Sequence, residues 1–331
     1  MKRVVKTLIL VMLAMFVSSS VNASVLTAAG YSVTDITIDM PASAFLGGFD
    51  ILPNGNYVIN DGCSIREVKR DGTAGQTFYS YETAVYGSFV RVNNGTLYFS
   101  DSSTESSRIM SMSLSGGSAT TLTTLSGNYD MDFAGNDAFV VAGNSIYKLG
   151  TDGSLDTIAT ADGYSGPLAF DGEGNLYYAP GHVASDYSSL PTEVLKWTSS
   201  QVASAVGAGV LGEADAEAVA QIDGAYGFAF DSGGNLLITD NSSTPAVNIL
   251  EDGTVSTIAE FSADNTYYPY LTFVRSRSEG QIAVGCSYYD STWNSHTLIC
   301  ELQAVPEPSS MIALFSMLGF AASSRLLRRG K

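Results

Sequence analysis

The sequence predicts an all-β protein, a six-bladed β-propeller, because one strand–turn–strand pattern recurs six times along the chain. Consecutive turn glycines of the six copies are separated by 40, 40, 39, 60 and 46 positions. They are Gly55, Gly95, Gly135, Gly174, Gly234 and Gly280. A propeller blade has a period of about 40 residues. The composition agrees, since 18 Tyr, 15 Phe and 33 Gly residues favour strands and tight turns.

Several copies contain a second tight turn, which raises the expected number of strands to about four in each unit. Asp71-Gly72, Asp152-Gly153 and Asp252-Gly253 form these turns, and the second copy has Gly116-Gly117 instead. An Asp-Gly pair between two apolar runs is a strong indication of a β-hairpin. Six such units therefore predict six blades.

The sixth copy ends near Leu302, before a fourth strand is complete. Residues 25–38 precede the first blade and have strand character. We expect them to supply the outer strand of blade six and close the ring, which removes an exposed sheet edge. The longest interval, from Gly174 to Gly234, leaves room for a polar loop at 180–191 and for a short helix within 199–222.

The N-terminus has the three parts of a secretory signal peptide, predicted to span residues 1–23. Lys2, Arg3 and Lys6 form a basic region, and residues 7–17 form an apolar run that is short for a membrane span. Val21 and Ala23 place small residues at the positions that precede a cleavage site. We expect cleavage before Ser24.

The C-terminus, residues 304–331, combines an extended motif, an apolar segment and a basic tail. The motif is Val305-Pro306-Glu307-Pro308, and residues 311–322 form a predicted transmembrane helix. The cations that follow are expected to stay on the cytoplasmic side of the membrane. They are Arg325, Arg328, Arg329 and Lys331. An ordinary C-terminal membrane anchor is the alternative interpretation.

The order of these three parts resembles the PEP-CTERM sorting signal over residues 305–331. That resemblance implies an exported bacterial protein that an exosortase-type enzyme processes. It also implies a transient membrane anchor, followed by a place at the cell surface or in the extracellular matrix. Such proteins commonly accompany exopolysaccharide production and biofilm.

Charge is distributed unevenly between the ends and the predicted propeller, residues 24–303. Residues 24–308 hold 9 basic and 33 acidic residues, so their net charge is −24. A field of this sign repels nucleic acid, which excludes DNA and RNA as partners. It is compatible with divalent cations and equally with a plain acidic exported protein.

The middle of the chain also carries a local signature, Gly174-Asn175-Leu176-Tyr177, which partly recurs at Gly234-Asn235-Leu236. It resembles NHL-repeat and gluconolactonase-type six-bladed propellers over about residues 25–303. The gluconolactonase resemblance implies a divalent cation held near the axis by Glu, Asn and Asp. At the starts of the predicted inner strands only Asp130 offers such a ligand, so this chain departs from that pattern.

An aromatic residue stands at the start of every predicted inner strand. The six are Phe45, Tyr86, Tyr129, Tyr164, Tyr226 and Tyr268. In a closed ring they would surround the axial funnel on one face, where rings with hydroxyl groups suit the binding of sugars. The alternative is that the tyrosines pack between blades.

Three aspartates end the second strand of their blades: Asp61, Asp101 and Asp240. Each is expected to cap its own turn by accepting backbone N–H groups. The loop that Asp240 begins is a weaker candidate for Ca²⁺, and we expect no required cofactor.

Three cysteines permit at most one internal disulfide bond. Cys286 and Cys300 lie on adjacent strands of one predicted hairpin and are the favoured pair, while Cys63 is the rival partner for Cys286. His182 and His296 are the only histidines. The chain has no nucleophile motif that would give either a catalytic role, and we expect no catalytic residue.

Two functions follow from these observations. The first, preferred here, is a non-enzymatic surface or matrix protein whose propeller binds a polysaccharide or another surface protein. The second is a metal-dependent hydrolase or lactonase of the gluconolactonase type. The residues that line the axial funnel distinguish the two.

Overall fold

The computed structural model describes residues 25–41, 46–84, 89–104, 106–182, 190–264, 266–277 and 280–305. Within these ranges the chain forms six antiparallel sheets of four or five strands. They confirm the predicted all-β, six-bladed propeller. The predicted signal peptide, the predicted C-terminal helix, the basic tail and sorting-motif residues Pro306, Glu307 and Pro308 lie outside the described residues.

The first three blades each consist of four strands that follow one another along the chain. Blade one contains β3 (Phe49–Ile51), β4 (Tyr57–Asn60), β5 (Ser64–Val68) and β6 (Ala74–Ser80). Blade two contains β7 (Val90–Asn93), β8 (Thr96–Asp101), β9 (Arg108–Ser113) and β10 (Thr120–Thr124). Blade three contains β11 (Asn128–Ala134), β12 (Asp137–Ala142), β13 (Ser145–Leu149) and β14 (Leu155–Thr160).

The last three blades include the two strands that come first in the chain, β1 (Leu26–Thr27) and β2 (Tyr31–Thr37). Blade four contains β15 (Leu168–Phe170), β16 (Leu176–Tyr178), β17 (Pro191–Trp197) and β18 (Glu217–Asp223). Blade five contains β19 (Ala225–Phe230), β20 (Leu236–Asp240), β21 (Ala246–Glu251) and β22 (Thr254–Phe261), with β1 at its outer edge. Blade six contains β23 (Tyr267–Ser276), β24 (Gln281–Tyr289) and β25 (Ser295–Ala304), with β2 outermost.

The recurrent turn joins the first and second strands of every blade, and its glycine adopts the left-handed conformation. All six turn glycines have φ between 64° and 85°, which a residue with a Cβ atom adopts at a cost. In blade four, Asp171 Oδ1 accepts the backbone N–H groups of Glu173 and Asn175, both at 2.9 Å. Asp231 holds the equivalent turn of blade five in the same way. This geometry explains why the sequence pattern repeats.

The apolar core is divided among the interfaces between neighbouring blades. Each of the six clusters of buried side chains joins two adjacent blades, as Phe139 of blade three and Trp197 of blade four do in one cluster. Face-to-face packing of twisted sheets buries the inward side chains of both sheets. The inner strands contact one another in the order β3, β7, β11, β15, β19 and β23, and β23 contacts β3.

Strand β2 closes the ring as the sequence predicts, since it pairs with β25 from Tyr31 opposite Ala304 to Thr37 opposite Leu298. The segment before it joins a different blade from the one that the sequence predicts. Strand β1 pairs with β22, with Leu26 opposite Phe261, and adds a fifth strand to blade five. The N-terminal segment therefore holds both of the last two blades.

A buried ionic cluster reinforces the contact between blade six and blade one. Glu301 of β25 accepts hydrogen bonds from the Tyr57 hydroxyl and the Arg70 guanidinium, and its Oε1 lies 3.4 Å from Arg277 Nη2. Arg277 also donates to the Gly55 carbonyl at 2.6 Å. Burial alone would raise the pKa of Glu301, but the hydrogen bonds from Arg70 and Tyr57 hold it below its ordinary value.

The predicted short helix lies in the insertion of blade four and is α1 (Ser199–Ala205). Thr198 Oγ1 accepts the backbone N–H of Gln201, whose side chain accepts the Thr198 N–H at 2.8 Å, so the helix begins with a capping box. Val202 packs in the same cluster as Trp197. Among the described residues no helix has the length and apolar character needed to cross a membrane.

Candidate functional site

A cavity of about 280 Å³ opens on the ring axis, at the end where the inner strands begin. Four tyrosines from different blades contribute to its wall: Tyr129 of blade three, Tyr164 of blade four, Tyr226 of blade five and Tyr270 of blade six. Tyr129 and Tyr226 are the second residues of their inner strands, whereas Tyr164 precedes β15 and Tyr270 lies within β23. The blade repeat therefore brings side chains that are far apart in sequence to one place.

Contacts across the axis hold three of these rings. The Tyr129 hydroxyl donates a hydrogen bond to the backbone carbonyl of Tyr226 at 2.9 Å. The Tyr226 ring lies edge-on to Tyr129 and to Tyr270, with centroids 5.5 and 4.7 Å away. Phe273 packs against the same group, its centroid 5.9 Å from that of Tyr129. The rings thus form rigid apolar walls.

Polar groups of two kinds line the cavity. The Asn241 amide is committed to the backbone of Leu271, with hydrogen bonds of 2.7 and 2.8 Å, so it fixes the wall. Thr192 Oγ1 is buried and has no hydrogen-bond partner among the described residues. A buried hydroxyl without a partner costs free energy.

Three tyrosine hydroxyls of the cavity are protonated at neutral pH. Burial raises the pKa of Tyr129, Tyr226 and Tyr270 above the ordinary value of 10.0. The neighbouring tyrosines raise the pKa of Tyr129 and Tyr270 further. These three groups therefore donate or accept hydrogen bonds as neutral hydroxyls.

The predicted aromatic ring needs correction at blade six. Tyr268 is 74% exposed and does not line the axial cavity, whereas Tyr270 does. The register of β23 against β24 shifts between Tyr267 and Tyr270, which changes the side to which each residue points. Tyr164 lines the cavity mouth and is 65% exposed. Phe45 and Tyr86 lie outside the described residues.

Asp130, the predicted metal ligand at the axis, is fully buried and forms an ion pair with Arg91 of blade two. Its carboxylate also accepts the backbone N–H groups of Met131 and Leu168, at 2.8 and 3.3 Å. Burial raises the pKa of Asp130 to about 7, although Arg91 acts in the opposite direction.

The donors near the axis do not fit the divalent cation that the gluconolactonase resemblance implies. Such a cation takes several oxygen ligands, but in the described part of the chain no three His, Cys, Asp or Glu side chains are grouped to hold a metal ion. The carboxylate of Asp130 would have to leave Arg91 before it could coordinate one.

At the opposite end of the inner strands, carboxylates join neighbouring blades. Asp50 Oδ2 accepts the Val92 N–H at 2.7 Å, and Asp132 Oδ2 accepts the Phe170 N–H at 2.8 Å. Arg275 Nε lies 3.6 Å from Asp50 Oδ1. These bridges were not predicted, because nothing in the local pattern of Asp50 or Asp132 marks a partner in the next blade.

The three aspartates at the ends of second strands accept hydrogen bonds from groups of their own blades, and Asp101 Oδ2 also accepts one from the Tyr79 hydroxyl of blade one at 2.8 Å. Asp61 accepts the N–H groups of Cys63 and Ser64, at 2.9 and 2.6 Å. Asp101 Oδ1 accepts the Ser103 N–H at 2.9 Å, and its other oxygen pairs with Arg108. For Asp240, the weaker candidate for Ca²⁺, the partners are the Ser242 N–H and the Asn248 amide.

The favoured cysteine pair lies in the core between blades five and six. Cys286 and Cys300 are both fully buried as thiols, and their Sγ atoms are 3.2 Å apart. They occupy diagonal positions on β24 and β25, since Val284 is the residue opposite Cys300. Cys63 is half-buried in the turn between β4 and β5 of blade one.

The two histidines lie in different surroundings. His182 lines the axial cavity next to the predicted polar loop. His296 Nε2 lies 3.0 Å from Asp290 Oδ2, and its ring stacks on Tyr288 with centroids 4.9 Å apart. In the described part of the chain, neither contacts a serine or cysteine in a nucleophile–base arrangement, and only His182 is at the cavity.

Comparison with solved structures shows the same architecture in proteins of low sequence identity. The chain is similar to a gluconolactonase from Xanthomonas campestris, with a TM-score of 0.59 and 16% identity over 83% of this chain and 91% of that one. A candidate glucose dehydrogenase from Thermus thermophilus gives a TM-score of 0.56 and 13% identity, over 83% of this chain and all of that one.

A protein proposed to be a gluconolactonase also gives a TM-score of 0.56, at 12% identity over 85% of this chain and 96% of that one. No protein-family model matches the chain, and no curated protein matches its sequence. At these identities the likeness shows the fold alone, a six-bladed propeller with gluconolactonase-like structural neighbours.

Proposed function

We propose that this protein is an exported binding module whose axial cavity holds a neutral carbohydrate. The observation that carries the proposal is the convergence of Tyr129, Tyr164, Tyr226 and Tyr270 around a cavity of about 280 Å³. Aromatic rings cover the apolar faces of sugar rings, and a few fixed polar groups orient a small ligand. Thr192, whose buried hydroxyl has no partner among the described residues, is a polar residue of the cavity wall.

The charge of the domain supports a neutral ligand over an acidic one. Residues 24–308 carry a net charge of −24, which opposes the approach of a polyanion. The buried acid next to the cavity, Asp130, is already paired with Arg91. Among the described residues that line the cavity there is no Lys or Arg side chain to attract an acidic sugar.

The alternative function is a metal-dependent hydrolase or lactonase, and the fold likeness to gluconolactonases favours it. The chemistry of such an enzyme needs a set of metal ligands at the axis. The described residues offer Asp130 in an ion pair and no grouped donors around it. We therefore prefer the binding module, and lactone hydrolysis that depends on added Ca²⁺ or Zn²⁺ would reverse this preference.

The proposed itinerary rests on the two ends of the chain. The signal peptide directs export with cleavage before Ser24, and the segment at 304–331 anchors the protein until an exosortase-type enzyme processes it. The described residues nearest the two ends of the chain lie side by side, since the Val305 N–H donates to the Gly30 carbonyl at 2.8 Å. N-terminal sequencing that does not begin at Ser24, or a Glu307→Ala variant that is processed normally, would contradict this itinerary.

Binding of the full chain to neutral glycans tests the proposed ligand. A glycan array selects the best neutral sugar, and titration calorimetry then measures its affinity for the wild type and for Tyr164→Ala. Because Tyr164 is 65% exposed, its truncation should leave the fold intact and weaken binding about tenfold, which corresponds to about 1.4 kcal/mol. Tyr164→Phe separates the contribution of the ring from that of the hydroxyl.

Val210→Ala is the matched control, because Val210 is 53% exposed in the insertion of blade four and does not line the axial cavity. It should bind as the wild type does. If no neutral sugar binds the wild type, or if Tyr164→Ala and Val210→Ala bind equally well, the axial cavity is not a carbohydrate site.

A further inference from the structure

Blade six carries a second group of aromatic side chains that the axial cavity does not use. Trp293 is 61% exposed and Tyr268 is 74% exposed, and Tyr267 and Tyr289 beside them are also exposed. We call these four residues the blade-six platform. Large exposed aromatic patches on a folded domain mark surfaces that bind a ligand or another macromolecule.

The rings of the platform are arranged around Trp293. The Tyr267 ring stacks on it, with centroids 5.1 Å apart and planes within 13° of parallel. Tyr268 and Tyr289 lie at 6.3 and 6.2 Å from the same indole. Trp293 is thereby oriented by three neighbours and still leaves most of its surface in solvent.

The backbone at the platform adopts conformations that bulky residues rarely occupy. Tyr268 has φ of 52° and Trp293 has φ of 63°, in the left-handed region that costs energy for a residue with a large side chain. The turn of Trp293 is fixed by Asp290, whose Oδ1 accepts the N–H groups of Thr292 and Asn294 at 2.8 and 3.0 Å. These conformations direct both side chains outward.

The platform borders a cavity of about 390 Å³ that contains several hydroxyl groups. Tyr268 and Tyr289 of the platform line it, together with Ser287, Ser295 and Thr297. Tyr270 lines both this cavity and the axial one. Tyr270 is therefore a wall residue that the two cavities share.

A ligand that occupies both cavities must be long, flat-faced and rich in hydroxyl groups. Tyrosine side chains line both cavities together with serine and threonine residues, a combination that suits the apolar faces and polar edges of a sugar chain. The net charge of −24 over residues 24–308 disfavours a polyanion. Asp290, in the turn of Trp293, already faces His296 at 3.0 Å.

We infer that the blade-six platform is a second carbohydrate subsite, which binds the continuation of a neutral polysaccharide chain whose end or side sugar occupies the axial cavity. The inference rests on the proposed function, since it extends the same ligand outward by several sugar units. It assigns to Trp293 the stacking contact and to Tyr270 the position where the two subsites join.

Glucose oligomers with α-1,4 and β-1,4 linkages, from single sugars to octamers, are the probes. In the full chain, affinity should rise at least tenfold from monomer to octamer, or about 1.4 kcal/mol. Trp293→Ala should remove this gain and leave the affinity for the single sugar unchanged. Trp293→Phe, which keeps a ring, should restore part of the gain. Tyr164→Ala should weaken binding at every length.

Fluorescence gives a readout that is specific to the platform. The chain has two tryptophans, and Trp197 is fully buried whereas Trp293 is exposed. Octamers should protect the emission of Trp293 from acrylamide quenching, and single sugars should not. The emission of the Trp293→Phe variant, which reports Trp197 alone, should not respond to either ligand.

The outcomes separate this inference from the proposed function. Affinity that does not depend on length, or a Trp293→Ala variant that retains the gain, overturns the second subsite while the axial site stands. Octamer binding that needs Trp293 but ignores Tyr164→Ala overturns the axial site instead. If polylysine or dextran sulfate binds the platform and neutral oligomers do not, the assignment to a neutral sugar chain is wrong.

Discussion

The Tyr129 hydroxyl of blade three donates a hydrogen bond to the Tyr226 carbonyl of blade five, with 2.9 Å between the oxygens. This bond crosses the axis and joins blades that are not adjacent. We expect Tyr129→Phe to lower the free energy of unfolding by about 1 kcal/mol, because a buried carbonyl loses its donor. Urea denaturation measures this change. Tyr164→Phe, at an exposed ring, should unfold as the wild type does, and equal stability of the two variants would contradict the prediction.

Because β2 closes the ring, we expect that truncating the buried side chain of Ile36 on this strand lowers the free energy of unfolding strongly. Ile36 is 3% exposed and packs against the core between blades six and one. Its replacement by Ala should cost about 2 to 4 kcal/mol, because the substitution leaves a cavity. Thr34→Ala on the same strand, at an exposed position, should change stability by less than about 0.5 kcal/mol. A small effect of Ile36→Ala would mean that β2 is not needed for closure.

Two carboxylates near the axis, the buried Asp130 and the half-buried Asp132, predict that stability falls as the pH rises above mildly acidic values. Burial raises the pKa of Asp132 to about 6 and that of Asp130 to about 7, against an ordinary 3.8. Between about pH 4 and pH 7 the folded protein therefore binds protons that the unfolded chain has released. The free energy of unfolding decreases with rising pH in this window.

Asp132→Asn tests the origin of that decrease. The amide oxygen can still accept the Phe170 N–H, but the group no longer titrates. At about pH 8 the variant should be more stable than the wild type by about 1 kcal/mol, since a half-buried carboxylate is partly screened by solvent. At about pH 4, where Asp132 is protonated in the folded state, the two should agree. Urea midpoints over this pH range measure the effect, and parallel curves would rule out Asp132 as a cause.

The cysteine arrangement predicts one disulfide bond in protein taken from an oxidising compartment. The Sγ atoms of Cys286 and Cys300 are 3.2 Å apart, so pairing requires only a small movement. Thiol titration of the unfolded chain should find one reactive thiol, that of Cys63, and three after reduction. A peptide map that links Cys63 to Cys286 would show that the rival pairing is the real one.

The repeat could be predicted from the sequence because its cause is local. A turn that needs positive φ selects glycine, and all six predicted glycines adopt it. The closing strand was also predictable, because the sixth repeat lacked one strand and residues 25–38 had the character to supply it. That β1 would join blade five instead was not predictable, since pairing with Phe261 depends on the path of the chain between β1 and β2.

The site was less predictable, because its geometry depends on non-local contacts. Side chains alternate between the two faces of a regular strand, so the sequence predicts that Tyr268 and Tyr270 point to the same side. The irregular register of β23 decides which one faces the axis. Asp130 has the chemistry of a metal ligand, but Arg91, its partner, comes from another blade. These contacts form between residues that are distant in sequence, so no short segment predicts them.

The pairing of the first two strands with the last two blades also sets an order of assembly. Strands β1 and β2 are synthesised first, yet their partners β22 and β25 come only after the first four blades are complete. Contacts so distant in sequence carry a high entropic cost and form late. Until then the outer edges of blades five and six are open to pairing with other chains. A nascent chain delayed between Thr254 and Ala304 is therefore the species most exposed to aggregation and to chaperone binding.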